Sequence, residues 1–534
     1  MSIFINPGVD GYQEIRNSPI FVDKTMLLSL LNQRINTTQK YVCVSRPRRF
    51  GKSVTAQMLC AYYGKNSDDN SHNTNEPGLF DQLAIASHQT YRQHLNHYHV
   101  IYLNLATLWT PPITDINQLI QHLNIRIRQS LQEIFCDCKL PQSTDLSDLT
   151  DLSEIFSKIY QKNGERFVFV IDEWDSIMRE SRDDHQGIRQ YFNFLRNLFK
   201  DNRFTALAYM TGILPIKKYG TQSALNMFTE ISMTEADEFA PYMGFTAAEV
   251  KNLCRQIKLL KSANSDAAKN DRIPAKKAVS FTKMKTWYDG YTTGTQNHVF
   301  NPNSVVRALY SGICRNYWGK TESFEAVKPF IELNQAGLQE SILSLLAGDE
   351  LQIKISTFQN DLTTFTSRDD VLTLLVHLGY LSASADGIKA KKTQSNYRRI
   401  RIPNQEIHME LEDVLQSSQI YRETVKAINS SEKLLQAIWD KDSQAVAAAI
   451  HQAHLENVSI LQYNDENSLA CTLTCALYAA RNYYTRFFEL PTGDGFADIA
   501  FIPKRLVTKP ALLVELKRDD SSAGAIAQIK NRQY

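Results

Sequence analysis

The stretch that decides the fold is Tyr41-Val42-Cys43-Val44-Ser45-Arg46-Pro47-Arg48-Arg49-Phe50-Gly51-Lys52-Ser53. A short apolar strand runs into a basic loop, and the loop ends in Gly-Lys-Ser where a helical run, Val54 to Tyr63, begins. Strand, loop and helix in this order place backbone N–H groups at a helix N-terminus, where phosphate is favoured. In that arrangement Lys52 reaches the terminal phosphates of ATP and Ser53 ligates Mg²⁺. Arg46 stands where a glycine usually opens such a loop. Arg46, Arg48 and Arg49 either add phosphate contacts or face another subunit of a homo-oligomer, and Phe50, Gly51 and Val54 complete the candidate nucleotide contacts. The competing reading is an exposed basic turn.

Working outward, three more apolar runs share the character of 41–44: His99 to Leu105, Phe167 to Ile171 and Ala206 to Met210. Longer helical segments separate them, which implies crossover connections and a parallel sheet. Their near-continuous hydrophobicity implies a sheet covered on both faces. The third run ends in Asp172-Glu173. An acidic pair at the C-terminal end of such a strand lies where open α/β sheets bind ligands. Asp172 is expected to hold Mg²⁺ and Glu173 to polarise the attacking water; the alternative is that Asp172 caps the next turn. Asp175 is a weaker candidate for the same site. Thr211, at the end of the fourth run, would sense the γ-phosphate, or it simply ends a strand.

The chain has 534 residues, 43% hydrophobic and 22% charged, with a net charge of +2. This is the composition of a globular protein of several domains, not of a disordered chain or a polycation. Any nucleic-acid surface must be a local patch. The N-terminus does not read as a signal peptide, and no long uninterrupted apolar run predicts a membrane span. The eight cysteines are scattered without paired CxxC units, and Cys136-x-Cys138 is the closest pair. Reduced thiols in a cytoplasmic compartment fit best. The histidines show no ligand spacing; His97 and His99, at a strand start, read as surface residues. Lys65 to Asn75 reads as an exposed loop, and Lys251 to Lys277 as a helix running into a mobile connector.

Four blocks in order resemble the bacterial AAA-ATPase-like family: Phe21-Val22-Asp23-Lys24-Thr25, Arg46 to Ser53, Ile171-Asp172-Glu173-Trp174-Asp175, and Thr211-Gly212-Ile213. In that family RPRRFGKS replaces the usual first glycine. Trp287-Tyr288-Asp289-Gly290-Tyr291 with Asn301-Pro302 resembles a further shared block, although the residues alone read as packing. The resemblance implies an ATP-binding P-loop NTPase of α/β class over residues 1–240. A mainly helical middle region, 241–450, follows. It includes a helix-to-strand pattern at Val371 to Leu381 and a basic hairpin-like stretch, Gly387 to Pro403, arranged like a winged helix. Lys389, Lys391, Lys392, Arg398, Arg399 and Arg401 there either contact DNA or RNA phosphates or form a solvated face.

Near the end, Asp498 lies in one strand-like run and Glu515-x-Lys517 in another. Alternate strand residues share a face, so Glu515 and Lys517 point the same way. Two carboxylates and an ammonium on one face suit Mg²⁺-assisted phosphodiester cleavage; the alternative is a surface salt bridge. With Gln528 on a following helical run, the set resembles the PD-(D/E)XK nuclease superfamily. That implies a restriction-endonuclease-like domain over 451–534, with Asp465-Glu466-Asn467-Ser468 at its first helix and Glu466 joining the metal site. Members usually continue into a further strand past Tyr534, so either a truncated product or a natively short domain is expected, and loss of that strand would expose a sheet edge and weaken the core.

Overall fold

The computed structural model describes residues 4–65, 78–109, 113, 115–136, 138, 152–216, 225–235, 237–263, 278–294, 296–318, 328–333, 335–358, 365–384, 396–418, 421–457, 473, 476–492, 495–505, 507–516, 524, 526–527 and 530. By its contacts the chain divides into two units. One comprises residues 1–317, 355–365 and 372–396, and the other 318–354, 366–371 and 397–534.

The first unit is organised by a five-stranded sheet: β1 (Tyr41–Ser45), β2 (His99–Asn104), β3 (Phe167–Asp172), β4 (Thr205–Gly212) and β5 (Thr229–Ile231), in the order β2-β3-β4-β1-β5. All its pairings are parallel. The four apolar runs are therefore strands, and the α/β class with a parallel sheet holds. The fifth strand has three residues and a single buried position, too little to show in the sequence. Successive side chains alternate between two cores. Tyr41, Cys43, Phe167, Phe169 and Ile171 pack with Leu195 and Phe199 of the helix His185–Phe199. Val42, Val44, Val168 and Val170 pack with Leu59, Tyr62 and Tyr63 of the helix Lys52–Tyr63. Each large side chain so buried contributes about 1.5–3 kcal/mol, and the fully buried strands β1, β3 and β4 carry no charged residue before their ends.

Register then assembles the site. Asn104 pairs with Asp172, Asp172 with Thr211, Thr211 with Val44 and Gly212 with Ser45, so four strand ends form one row. Within the same unit, residues 245–317 carry the helices Ala247–Ala263, Phe281–Tyr288 and Pro302–Ser311 and short strands at Tyr291–Thr293 and Gln296–Phe300. Their core joins Val250, Met284, Tyr288, Phe300, Val305 and Leu309. Residues 264–277 and 66–77, where a connector and a loop were expected, lie largely outside the described residues.

The second unit contains the helices Gln405–Ser417, Arg422–Trp439 and Ser443–Asn457. An antiparallel sheet is made by Tyr484–Thr492, Gly495–Pro503 and Leu512–Val514. Tyr484, Ile499 and Phe501 of that sheet pack with Leu434, Leu435 and Leu477. The described part of the basic stretch, Tyr397–Arg401, is a strand antiparallel to Leu351–Lys354, and Arg401 meets Glu350 at 3.2 Å. Lys389, Lys391 and Lys392 lie outside the described residues. No helix of the described residues is long and apolar enough to cross a membrane.

Candidate nucleotide-binding site

The loop after β1 turns into the helix Lys52–Tyr63 through Gly51, whose φ of +83° suits glycine best. Lys52 is buried, and its Nζ donates to the carbonyl oxygens of Arg46 (3.1 Å) and Pro47 (3.0 Å). The ammonium thus occupies the curl of the loop, held by acceptors that a phosphate would replace. Burial lowers its pKa, against the opposing pull of Glu173 and Asp172.

Arg46 does not share that position. It is fully buried and turned into the sheet, donating to the carbonyls of Ser45 (2.8 Å) and Ile231 (3.2 Å). Burial pushes its pKa down to about 10. The expectation that Arg46 contacts phosphate is corrected: it braces β1 against β5. Arg49, with φ +70°, reaches the carbonyl of Tyr317 and lies 3.5 Å from Asn303 Oδ1. Phe50 meets Tyr291 edge-on at 5.1 Å, and a Cβ on Gly244 would come within 3.3 Å of Phe50. Tyr291, at the end of the aromatic block 287–291, therefore packs on the loop, while Tyr288 packs toward Trp287 and Tyr317. Asn301 caps the next helix by accepting from the Ser304 N–H, with Pro302 in its first turn.

Asp172 is fully buried at the end of β3. Its Oδ2 is 3.5 Å from Asn104 Nδ2, while its Oδ1 has no hydrogen-bond partner among the described residues. Burial raises its pKa to about 6; the Ser53 hydroxyl and Lys52 pull it down and Glu173 pushes it up. An orphaned carboxylate oxygen beside a serine hydroxyl is a donor set that fits Mg²⁺. Glu173 has φ +56°; its Oε2 accepts from Arg179 (2.6 Å) and its Oε1 is 4.0 Å from Lys52 Nζ. Asp175 serves the scaffold instead of the metal: it accepts the N–H groups of Ile213 and Leu214 at 2.9–3.2 Å. Thr211 is buried, and its Oγ1 also lacks a partner among the described residues.

A cavity of about 380 Å³, a size suited to a small ligand, is walled by Arg49 to Thr55 and Glu173 on its polar side. Phe21, Val22, Tyr242, Phe245 and Val306 supply apolar wall. Arg46, Arg48 and Thr211 are not part of that wall. The block Phe21 to Thr25 is tied in through two carboxylates, Asp23 and Glu249. Asp23 accepts from the Thr25 N–H (2.8 Å) and the Ala84 N–H (2.7 Å), and Lys24 bridges to Glu249 at 2.7 Å and to the Pro241 carbonyl at 2.7 Å. Sequence reading missed Asn104, Arg179 and Glu249; the only signal for Asn104 was a polar residue closing an apolar strand.

In the second unit, the pairing of Gly495–Pro503 with Leu512–Val514 ends at Ile499 and Val514, so Asp498 and Glu515 each follow the last paired residue and Glu515 lies just past its strand. The Asp498 carboxylate accepts the Leu516 N–H at 2.6 Å. Lys517, Glu466 and Gln528 lie outside the described residues. Among the described residues no group of three or more His, Cys, Asp or Glu is placed to hold a metal ion.

Residues 6–221 match the family model described as a predicted AAA-ATPase, AAA-ATPase-like. A protein of Azotobacter chroococcum mcd 1, an uncharacterised protein in the vnfD 5′ region, is 24% identical over 417 residues, covering 76% of this chain and 69% of its own length. Among solved structures, the ORC2 protein of Aeropyrum pernix in its ADPNP–ADP complexes is similar at 12% identity and a TM-score of 0.29, covering 74% of this chain and 93% of that one. Drosophila ORC bound to DNA is similar at 11% identity and 0.25, covering 76% and 91%. PCH-2 of C. elegans is similar at 11% identity and 0.21, covering 69% and 72%.

Proposed function

We propose that this chain binds ATP with Mg²⁺ in the first unit and hydrolyses it, and that this module governs a C-terminal Mg²⁺-dependent nuclease of PD-(D/E)XK type acting on DNA or RNA. The family match of residues 6–221 supports ATP binding. The observation that carries the reading is the buried Lys52 ammonium, which rests on two loop carbonyls with Glu173 4.0 Å away. Phosphates take the place of those carbonyls, Ser53 and Asp172 hold the ion, and the apolar wall takes the base. Bound Mg²⁺ would neutralise phosphate charge; Glu173 orients water. Arg49, Phe50, Gly51 and Val54 shape the seat; Thr211, buried behind it at the end of the adjacent strand, backs the site of the terminal phosphate.

The nuclease proposal is supported by the hydrogen bond from the Leu516 N–H to the Asp498 carboxylate, which brings the chain just after the strand Leu512–Val514 to Asp498, with Glu515, Lys517 and Glu466 completing the metal and charge set. We assign residues 1–240, 241–450 and 451–534 to the P-loop, helical and nuclease parts, in a cytoplasmic protein, with the basic strand 397–401 as a nucleic-acid contact. A second reading is a nucleotide-driven switch whose terminal domain binds nucleic acid or protein without cutting. It is favoured by one observation: Asp498 already holds a backbone N–H at 2.6 Å. The test is full-length protein with plasmid, linear DNA, single strands and RNA, with and without ATP and Mg²⁺, following phosphate release and cleavage together. Phosphate release with cleavage supports the first reading, phosphate release alone the second, and neither defeats both.

A further inference from the structure

We infer that Arg179 is the positioning residue for Glu173, fixing one carboxylate oxygen so that the other faces the phosphate seat. The inference rests on the ATP-hydrolysis reading and deepens it. Glu173 follows the last residue of β3 with a left-handed backbone, φ +56°. A glutamate keeps that conformation only where its surroundings over-determine it. Here they do. Oε2 accepts from Arg179 Nη2 at 2.6 Å, and Oε1 looks toward Lys52 Nζ at 4.0 Å. The two oxygens therefore have different tasks: one is anchored and one is presented.

The anchor is itself paired. Arg179 is only 12% exposed, and its Nε lies 3.3 Å from Asp175 Oδ2, an ion pair by distance without hydrogen-bond geometry. Asp175 is fully buried and grips the N–H groups of Ile213 and Leu214, the two residues after β4. A bracket thus runs from the end of β4 through Asp175 and Arg179 to Glu173, and none of its support comes from the cavity wall, to which Arg179 and Asp175 do not belong. When phosphate takes the place of the loop carbonyls and pairs with the Lys52 charge, Oε1 becomes the acceptor for a water hydrogen, while Oε2 stays held. The water oxygen bonds to the γ-phosphorus. The bond from that phosphorus to the bridging oxygen breaks, ADP leaves with the electron pair, and the water proton ends on the inorganic phosphate. Arg179 touches none of these atoms. It determines where Oε1 is.

The experiment compares the full chain with Arg179→Ala, Arg179→Lys, Glu173→Gln and the double variant Glu173→Gln/Arg179→Ala, measuring ATP affinity by calorimetry and hydrolysis in single turnover. We expect Arg179→Ala to slow hydrolysis by about 10- to 100-fold with ATP affinity within about twofold, the pattern of a contribution made in the transition state. Arg179→Lys should recover part of the loss. The double variant should be no slower than Glu173→Gln, since residues acting as a unit are not additive. The inference is overturned by an Arg179→Ala rate equal to the parent's, by affinity falling in step with rate, or by a double variant slowed by the product of the two single effects. Should Arg179→Ala not fold, Arg179→Lys carries the test, because a lysine cannot reach both carboxylates with a planar fork, and a parent-like rate then overturns the inference. A parent that binds no ATP defeats the ATP reading itself; a parent that turns over ATP indifferently to Arg179 defeats this inference alone.

Discussion

The polar groups at the end of the parallel sheet and those on the C-terminal antiparallel sheet are built in opposite ways. In the first, register alone brings Asn104, Asp172, Thr211 and Gly212 into one row at the mouth of a helix. Parallel strands all end on the same edge, so any polar residue that closes an apolar run is delivered to one place. In the second, the paired register stops at Ile499 and Val514, so Asp498 has only a residue beyond the strand, Glu515, as its nearest carboxylate partner in sequence register, and the remaining members must come from helices and later residues. At the parallel edge Asp172 keeps one buried oxygen, Oδ1, without a hydrogen-bond partner among the described residues, while Oδ2 lies 3.5 Å from Asn104; on the antiparallel sheet Asp498 is engaged with a backbone N–H. A buried carboxylate oxygen without a hydrogen bond is a reason to look for a ligand.

The sharpest way to break this contrast is at the weaker region. If the C-terminal set is a nuclease, Asp498→Ala and Lys517→Ala each reduce Mg²⁺-dependent cleavage by about 1,000-fold or more, as loss of a metal ligand or charge stabiliser should, and leave ATP hydrolysis at the parent rate. A gel assay alongside phosphate release decides it. Cleavage that survives Asp498→Ala would assign that carboxylate to holding Leu516 and nothing else.

The parallel edge is tested next. Lys52→Ala removes the charge that faces the phosphates and should weaken ATP binding about 100-fold, near 2.7 kcal/mol, measured by calorimetry. Unchanged affinity would mean that the cavity of about 380 Å³ takes some other ligand.

How much of this could be read from the sequence depended on whether a residue's task was local. The apolar runs 41–44, 167–171 and 206–210 announced a doubly covered sheet because every position in them is buried. The Gly51-Lys52-Ser53 turn was legible because strand, loop and helix are contiguous. Arg46 was misread because its neighbours in sequence are basic and its neighbours in space are the carbonyls of Ser45 and Ile231. Arg179 and Glu249 were not legible at all. A lone arginine six residues past Glu173 has no pattern until a turn of helix brings it back, and Glu249 meets Lys24 across 225 residues.

A smaller effect tests the packing that keeps the row in register. A Cβ on Gly212 would approach Trp174 Nε1 and Asp175 Oδ1 to 2.6 Å, both buried. Gly212→Ala must push the indole or the carboxylate away, destabilising the chain by about 1–3 kcal/mol. Denaturant unfolding should show a lower midpoint at constant slope. No change would mean that the Trp174–Asp175 turn yields freely, and the bracket on Glu173 would lose its rigid root.

The smallest effect concerns Asp172 and carries the most specific sign. Burial raises its pKa from 3.8 to about 6. A carboxyl raised by folding is more comfortable protonated, so its favourable contribution is present below the unfolded value and is lost as pH rises through about 6. At pH 8 the folded chain carries an ionised carboxylate in a dry site, at a penalty of about 1–3 kcal/mol. Asp172→Asn keeps the shape and removes the charge. Without nucleotide or metal, the variant should therefore melt higher than the parent at pH 8, and the difference should shrink as pH falls toward 4.5. Adding ATP and Mg²⁺ should reverse the order, since only the parent gains stability from binding. Equal melting at both pH values would show that Asp172 is already compensated within the chain. It would then resemble Asp498, and the contrast between the two regions would fall.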